Sequence, residues 1–419
     1  MRVPAAGPLG YVRREPEETD LYRIIHAHFG DFLERAGDAG GLPRFVRESF
    51  ERYLRCGVLA HGFARVWCAT CGDDMLVAWS CKRRGLCSSC GGRRMAETAA
   101  HLCDGVFPRV AVRQWVLTFP YPLRVKLAYD ARLRTAVLGL FVRCVTAFYE
   151  RAGAACGRKG GQVGSVTAIQ RFGSALNVNL HFHTVFTDGV FYRSRPGHPL
   201  RFRALPRLTE EDVKRVFDAF VARLGRLLRR RGVFGDDDAV DEAPPEEAEP
   251  LAQLALASSR HLSALGPAPA PVRDAGPSRE SRRRGERVGS RLWVDGPRGM
   301  SLHAATAVKA RQRSALERLL CYVLRPPVVP ARVRWRDDGM VELSLSRPWS
   351  NGTRCFLFTP LAFIGRLVPL IPAPGTHDVR YHGVFAPNAR WRREVVAMAP
   401  CRTAPSDSSS SCDHGGGCR

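Results

Sequence analysis

Residues 176–191 constrain the fold more than any other stretch of this chain. From His181 to Phe186 the residues are mostly β-branched or aromatic, and an Asp-Gly pair follows, which predicts a strand that ends in a turn. Side chains alternate across a strand, so the imidazoles of His181 and His183 leave the same face. The sequence therefore predicts a pair of nitrogen ligands on a hydrophobic strand.

A pair of neutral imidazoles suits a divalent cation, which can polarise a phosphate oxygen as a Lewis acid. Gln170 lies on the preceding predicted strand and is a candidate third ligand, with a hydrogen bond at the strand edge as its alternative role. For an isolated His-x-His pattern, two polar residues on a half-exposed strand are the more common explanation. The surrounding sequence has to decide between the two.

A second feature is a pair of Cys-x2-Cys turns. Cys68 and Cys71 are followed by fifteen residues and then by Cys87 and Cys90, a spacing typical of a structural zinc site. Four thiolates close a tetrahedral shell and leave no position for water, so the ion is expected to hold the module together and not to do chemistry. Cys81 is an alternative: it replaces one of the four ligands, or it is a buried thiol.

The overall charge favours a polyanionic partner. The 419 residues include 64 Lys and Arg against 40 Asp and Glu, a formal net charge of +24, and nucleic acid is the first candidate. A solvated charged surface is the alternative explanation. The basic residues that interleave with the cysteines are candidate phosphate contacts, namely Lys82, Arg83, Arg84, Arg93 and Arg94.

The sequence favours a cytoplasmic protein without a membrane partner. No stretch approaches the roughly 20 apolar residues that cross a bilayer. In the cytoplasm the 14 cysteines are expected to be thiols or metal ligands rather than disulfides. A glycine-rich stretch at residues 157–164 lacks the ending of a nucleotide-binding loop, so no nucleotide cofactor is expected.

A tyrosine on a late helix completes the candidate catalytic residues. Residues 302–324 have helical apolar spacing, and the helix is expected to stop before Pro326. Tyr322 lies off the centre of the apolar face, on the flank that carries Arg311 and Arg318. The other two tyrosines that follow the His pair lie at a strand end and in a loop-like segment.

Three blocks of this sequence closely resemble the HUH endonucleases, and in particular the rolling-circle transposases of the insertion sequence ninety-one family. The blocks are Ile169-Gln170-Arg171-Phe172-Gly173-Ser174-Ala175-Leu176-Asn177 ahead of His181-Phe182-His183, Ser80-Cys81-Lys82-Arg83-Arg84-Gly85-Leu86-Cys87, and Tyr322-Val323-Leu324-Arg325-Pro326-Pro327. Arg318 stands where some members carry a second tyrosine, so the chain resembles the single-tyrosine branch. Cys321 stands where a basic residue commonly precedes the tyrosine.

The resemblance implies a mixed α/β fold of the α+β type. The expected architecture is an antiparallel, ferredoxin-like HUH nuclease palm with helices on one face, preceded by a small zinc-binding module. The implied activity is that of a metal-dependent tyrosine endonuclease and strand transferase. Tyr322 attacks DNA, and Mg²⁺ or Mn²⁺ is held by His181 and His183, with Gln170 as the candidate third ligand.

The implied biological role is DNA transposition through a 5′-phosphotyrosine intermediate. The expected partner is single-stranded DNA at the ends of a mobile element, with the host replication machinery as a further candidate. Arg311 and Arg318 join the basic residues around the cysteines as candidate DNA contacts. Two alternatives stay open at this point: a plasmid or phage replication initiator or relaxase with the same chemistry, and a non-catalytic zinc protein that binds DNA.

The composition along the chain predicts a helical leader at 1–60, a flexible charged insertion at 236–295 and a disordered tail at 402–419. The resemblance implies the remaining regions. They are the zinc-binding domain at 61–105, the first part of the nuclease domain at 106–235, the nucleophile helix at 296–330 and a C-terminal closing region at 331–401.

Overall fold

The computed structural model describes residues 14–38, 41–70, 72, 74–233, 250–260, 262–263, 267–273, 292–296 and 299–400. The predicted tail at 402–419 lies outside these ranges. The helices are α1 (Asp20–Asp38), α2 (Arg44–Leu54), α3 (Ser88–Gly105), α4 (Tyr121–Tyr129), α5 (Ala131–Ala155), α6 (Glu210–Arg230), α7 (Pro250–Ser259), α8 (Arg313–Leu324), α9 (Pro360–Leu367) and α10 (Arg392–Ala397).

The strands are β1 (Phe63–Trp67), β2 (Asp74–Ala78), β3 (Val112–Thr118), β4 (Gly164–Phe172), β5 (Val178–Thr187), β6 (Gly189–Tyr192), β7 (Arg201–Ala204), β8 (Ala270–Arg273), β9 (Trp293–Asp295), β10 (Ser301–His303), β11 (Ala307–Val308), β12 (Val333–Trp335), β13 (Val341–Ser344), β14 (Thr353–Phe358) and β15 (Val379–Gly383).

The largest sheet is antiparallel, with the strand order β15-β4-β5-β3-β10-β9 and with β11 also paired to β3. The strand β5, which carries the His pair, therefore lies between β4 and β3. Almost all of its residues are buried, as the apolar and β-branched sequence predicts. The antiparallel mixed α/β fold predicted from the sequence is confirmed.

Helices cover both faces of this sheet, whereas helices on one face only were predicted from the sequence. On one face, α5 and α6 pack against the sheet around Trp115, Phe182 and Phe186. On the other face, α3 and α8 pack against Val166 and Val185 in a separate cluster. Because His181 and His183 have the parity of Val185, the His pair lies on the face that α8 covers.

A second antiparallel sheet has the strand order β12-β13-β14-β8. Its buried residues are part of a third hydrophobic cluster, which also contains residues of the N-terminal helices and of α9. Helices α1 and α2 contribute Leu21, Phe32 and Phe50 to it, and α9 contributes Phe363. The amide of Trp335 also donates to the Asp20 carboxylate, at 3.1 Å. The predicted N-terminal leader is thus packed on the C-terminal region.

Part of the predicted flexible insertion is folded. Within residues 236–295 the described elements are α7, β8 and β9. The Ser258 hydroxyl of α7 accepts a hydrogen bond from the amide of Val178 at 3.2 Å, and the buried Arg366 donates to the Ser258 carbonyl at 2.7 Å. These contacts tie α7 to the start of β5. Among the described helices, none is both long and apolar enough to cross a membrane.

We expect Phe182→Ala to lower the free energy of unfolding by about 3–5 kcal/mol, since the substitution leaves a cavity in a closed core. The Phe182 ring has no exposed surface and meets Phe119 edge-on, with 5.1 Å between ring centroids. The control is Phe63→Ala, because the Phe63 side chain is 45% exposed; its change should stay within about 0.5 kcal/mol. Urea unfolding followed by circular dichroism measures both, and equal effects would contradict the assignment of Phe182 to the core.

Candidate active site and metal centre

The His pair lies at the middle of the main sheet. His181 is opposite Gln170 on β4 and opposite Thr118 on β3, so these three side chains share one face. The centroids of the His181 and His183 rings are 4.7 Å apart, and both residues are buried. Burial lowers the pKa of His181 to about 4 and the pKa of His183 well below its ordinary value. Both imidazoles are therefore neutral at pH 7, which is the form that binds a metal.

Nδ1 of each imidazole lies within hydrogen-bond distance of a neighbouring polar group. Nδ1 of His181 lies 2.6 Å from the carbonyl oxygen of Asn179 and donates to it. The side-chain amide nitrogen of Gln114 lies 2.6 Å from Nδ1 of His183 and donates to it. When Nε2 of His183 binds a cation, Nδ1 carries the proton, and a 180° rotation of the Gln114 amide then places its oxygen where it accepts that proton. No sequence pattern marks Gln114, which is four residues before Thr118 and on the same face of β3.

An irregularity in the sheet allows the Asn179 contact. Between the pairs Gln170 with His181 and Phe172 with Val178, β4 has one residue and β5 has two. The extra residue is a bulge in β5, and bulges commonly redirect side chains beside functional sites. Here the bulge brings the Asn179 carbonyl next to the His181 ring.

Gln170 contacts both the sheet and the helix that carries the tyrosine. Its amide nitrogen donates to the carbonyl oxygen of Val323 at 2.6 Å and to that of Tyr322 at 3.3 Å. Its amide oxygen and Nε2 of His183 are buried and have no hydrogen-bond partner within the described part of the chain. Two buried acceptors beside a neutral imidazole fit a cation, because such atoms are normally paired.

Tyr322 lies in the last turn of α8, beside the His pair. The helix buries Leu316, Leu319, Leu320 and Val323, while the Tyr322 side chain is 50% exposed. The Tyr322 ring stands perpendicular to the ring of His183, with 5.8 Å between centroids. The Arg325 guanidinium lies 4.2 Å from the centre of the Tyr322 ring. Arg311 and Arg318, the predicted neighbours, are exposed residues, so the cation found on the ring is a different one.

The other tyrosines after the His pair have different surroundings. Tyr192 ends β6, where Arg158 lies 4.7 Å from its ring centre. Tyr381 is on β15, opposite Val166 of β4, and Arg392 lies 5.5 Å from its ring centre. Of the three tyrosines, Tyr322 is the one with a ring contact to the His pair.

Four cysteines gather in the N-terminal region, and they differ in part from the predicted set. Cys56, Cys81, Cys87 and Cys90 have sulfur atoms that all lie within 4.8 Å of one another. The sulfur of Cys56 is 3.6 Å from that of Cys87 and 3.7 Å from that of Cys90, which is 3.6 Å from that of Cys81. A tetrahedral zinc ion with Zn–S bonds of about 2.3 Å needs sulfur separations of roughly 3.8 Å, so the four residues fit zinc.

Cys68, the first residue of the predicted first pair Cys68 and Cys71, is not in this cluster. Cys68 follows β1 at the tip of the β1–β2 hairpin, and Cys71 lies outside the described residues. Cys56 precedes the hairpin and Cys81 follows it, so both lie at its base. Five residues of strand separate base from tip by about 16 Å, which is too far for thiols at both ends to share one ion.

The start of α3 and a backbone amide favour the thiolate form of these cysteines, which is the form that binds a metal ion. Cys87 precedes the first residue of α3 and Cys90 lies in its first turn, where the positive end of a helix stabilises thiolates. The Cys81 amide lies 3.3 Å from the Cys56 sulfur and donates to it. Hydrogen bonding from the Cys81 thiol is the largest cause that lowers the pKa of the Cys56 thiol to about 6.

The predicted basic rim has mixed partners. Arg83 pairs with Glu48 at 3.0 Å, Arg84 with Asp378 at 2.8 Å and Arg93 with Glu97 at 3.9 Å. A guanidinium nitrogen of Arg94 donates to the carbonyl oxygen of Lys82 at 2.9 Å. Arg84 thus links the cysteine module to the C-terminal part of the chain.

Two family models match this chain. Residues 24–119 match the transposase zinc-binding domain of the insertion sequence ninety-one family, and that range contains all four clustered cysteines. Residues 164–393, more than half of the chain, match the family described as "Putative transposase", and that range contains the His pair, Gln170 and Tyr322. No curated protein and no solved structure matches the chain. The chain belongs to the transposases of the insertion sequence ninety-one family, with an N-terminal zinc-binding domain.

Proposed function

We propose that this transposase cleaves and rejoins single-stranded DNA through a covalent bond between Tyr322 and a 5′-phosphate. The observation that carries the proposal is the contact between the Tyr322 ring and His183, at 5.8 Å between centroids. A half-exposed tyrosine beside two neutral imidazoles places a nucleophile next to a cation site. The transposase family favours this role over that of a replication initiator or relaxase.

His181, His183 and Gln170 would hold the catalytic divalent ion, Mg²⁺ or Mn²⁺. A bound ion of this kind supplies Lewis-acid polarisation of the scissile phosphate. The neutral imidazoles contribute Nε2 atoms, because their Nδ1 atoms already face Asn179 and Gln114. Gln170 would contribute its amide oxygen, which has no hydrogen-bond partner among the described residues, while its amide nitrogen stays on the carbonyls of α8.

Tyr322 is the nucleophile in this proposal. Its oxygen attacks the phosphorus, the bond from phosphorus to the 3′-oxygen breaks, and the 3′-oxygen leaves as a hydroxyl after gaining a proton. The Tyr322 hydroxyl loses its proton in this step. The Arg325 guanidinium lies over the Tyr322 ring, 4.2 Å from its centre, and adds positive charge beside the nucleophile. Attack by a 3′-hydroxyl on the phosphotyrosine reverses the step and rejoins DNA.

Cys56, Cys81, Cys87 and Cys90 would hold one structural zinc ion. Three of their sulfur separations are 3.6 to 3.7 Å and all lie within 4.8 Å, and the residues are at the base of a hairpin and the start of α3; both observations support this ligand set. A closed shell of four thiolates holds the module together and leaves no coordination position for DNA or water.

We expect Tyr322→Phe to abolish the covalent adduct and the nicking of single-stranded oligonucleotides in Mg²⁺ or Mn²⁺. The substitution removes one oxygen from a half-exposed ring, so zinc content and binding of oligonucleotides should stay unchanged. The assay is a denaturing gel that detects protein bound covalently to labelled DNA. Tyr192→Phe and Tyr381→Phe are matched controls that should keep the adduct. An adduct that survives Tyr322→Phe and disappears in a control would assign the nucleophile elsewhere.

We expect Cys56→Ser to reduce the zinc content of the purified chain from one ion toward none and to destabilise the N-terminal region, because a structural ion contributes directly to folding. Cys68→Ser is the matched control and should keep the full zinc content. Inductively coupled plasma mass spectrometry gives the stoichiometry. Loss of zinc in Cys68→Ser with retention in Cys56→Ser would restore the ligand set predicted from the sequence.

We expect Gln114→Leu to raise the Mn²⁺ concentration needed for half-maximal adduct formation by about 10- to 100-fold, which is the usual effect of losing a partner that orients a metal-bound histidine. Saturating Mn²⁺ should restore the adduct. His183→Ala is the contrasting variant, since loss of the ligand itself should not be rescued. If Gln114→Leu needs no additional Mn²⁺, its side chain does not orient His183.

A further inference from the structure

A cavity of about 270 Å³ lies where the zinc-binding domain meets the edge of the main sheet. We call it the interface cavity. Its walls are the edge of β4 at Gln170–Phe172, one side of α3, the Arg325-Pro326-Pro327 segment and the loop that contains Asp378. The edge of β4 is open there because β15 pairs with β4 only as far as Ala168.

The charges around the interface cavity favour an anion. Four arginines line it, Arg84, Arg94, Arg171 and Arg325, against the single carboxylate of Asp378. Arg84 pairs with that carboxylate, which leaves three positive charges in the lining without a carboxylate there. An excess of guanidinium groups in a half-enclosed site is typical of phosphate recognition.

Two buried polar atoms in the cavity wall indicate that a ligand completes the site. Arg171 is 6% exposed, and its Nε atom has no hydrogen-bond partner within the described residues. The second carboxylate oxygen of Asp378 is also buried and, in the same part of the chain, without a partner. Buried donors and acceptors are normally paired, so a ligand with both acceptors and donors fits this wall. A nucleotide has phosphate acceptors and base donors.

The apolar part of the lining suits a planar base. Phe172, Met95 and the two prolines after Arg325 offer flat or adaptable apolar surface. At roughly 30 Å³ per water molecule the cavity holds about nine waters, close to the number of non-hydrogen atoms in a nucleobase. The enclosed volume is therefore close to that of one base.

The position of Arg325 connects this cavity to the nucleophile. Its guanidinium lies 4.2 Å from the centre of the Tyr322 ring and 5.7 Å from the centre of the Phe172 ring. Gln170 likewise lines the cavity and donates to the Tyr322 carbonyl. A DNA strand whose phosphate lies at Tyr322 therefore has its neighbouring nucleotide next to the cavity.

We propose that the interface cavity binds one nucleotide of single-stranded DNA, adjacent to the phosphate that Tyr322 attacks. The phosphate contacts Arg94 and Arg171, and the base stacks against Phe172 and the prolines. This inference rests on the proposed function, because it takes the strand at Tyr322 as the source of the nucleotide. It makes the zinc-binding domain one wall of a nucleotide-binding site.

The first test measures binding of fluorescein-labelled dT20, dA20 and dC20 to the full chain by fluorescence anisotropy, with Tyr322→Phe as the background to prevent cleavage. Arg94→Gln removes a charge from the cavity and Thr98→Trp fills it from α3. Each variant should weaken binding of at least one oligonucleotide about tenfold. Arg94→Gln loses a phosphate contact, and Thr98→Trp occupies the space in which the base stacks. The matched controls, Arg132→Gln on α5 and Ala96→Trp on α3, change exposed residues that do not line the cavity, and they should stay within about threefold.

The second test locates the base directly. Oligonucleotide dT20 with one 5-iododeoxyuridine is irradiated on the full chain, and mass spectrometry should find the cross-link on the peptides that contain Met95 or Phe172. An equimolar amount of dTMP should not protect these peptides; protection would identify a site for a free nucleotide and overturn the proposal. Cross-links elsewhere, or equal binding by cavity and control variants, would also overturn it.

The outcome is separate from that of the proposed function, because neither binding nor cross-linking needs the Tyr322 hydroxyl. Cross-links in the cavity without an adduct in the wild-type chain would remove the nuclease mechanism and leave the nucleotide site. An adduct without cavity cross-links would do the reverse. Since Arg94 is exposed, Arg94→Gln keeps the binding test informative even if Thr98→Trp does not fold.

Discussion

The side-chain amide of Gln170 joins the two halves of the candidate active site. The last carbonyls of a helix have no partner inside the helix, and the two prolines after Arg325 have no amide hydrogen to offer them. Gln170 donates from the neighbouring sheet to the carbonyls of Tyr322 and Val323. The same hydrogen bonds give the buried amide nitrogen of Gln170 its partners and fix the end of α8. The distance from Tyr322 to His183 therefore depends on a strand residue that is directly opposite His181.

The zinc-binding domain supports the same helix end from the other side. Gly91, one residue after Cys90, lies against Pro326 so closely that a Cβ atom at Gly91 would be 2.7 Å from the Cβ of Pro326. Any larger residue at Gly91 would push α3 away from the Arg325-Pro326 segment. Since four cysteines fix the start of α3, a metal ion there would hold this contact in place. A structural ion at the four cysteines would thus affect the position of Tyr322, the proposed nucleophile, without touching it.

The sequence predicts those parts of the site that local pattern determines. Alternation places His181 and His183 on one face of a strand, and helical spacing leaves Tyr322 off the apolar face of α8, as the structure has it. The zinc ligands depend on a hairpin that brings its two ends together, so Cys56 and Cys81 meet across 24 intervening residues, and a spacing rule favoured Cys68 instead. Gln114 and Arg325 were missed for the same reason. Their role depends on which strand or ring lies beside them, and neither has a sequence pattern of its own.

The two faces of the main sheet explain why the site is both buried and open. One face is closed by α5 and α6 over large aromatic side chains, which gives β5 a rigid support. The opposite face is covered by α3 and α8, two helices that contact each other, and α8 ends at the His pair. The imidazoles are consequently desolvated by the sheet and the end of α8, while the Tyr322 side chain beside them stays half exposed. For the proposed function, this places a buried cation site next to an accessible tyrosine, which suits phosphoryl transfer because the ion acts best away from water and the strand has to enter from solvent.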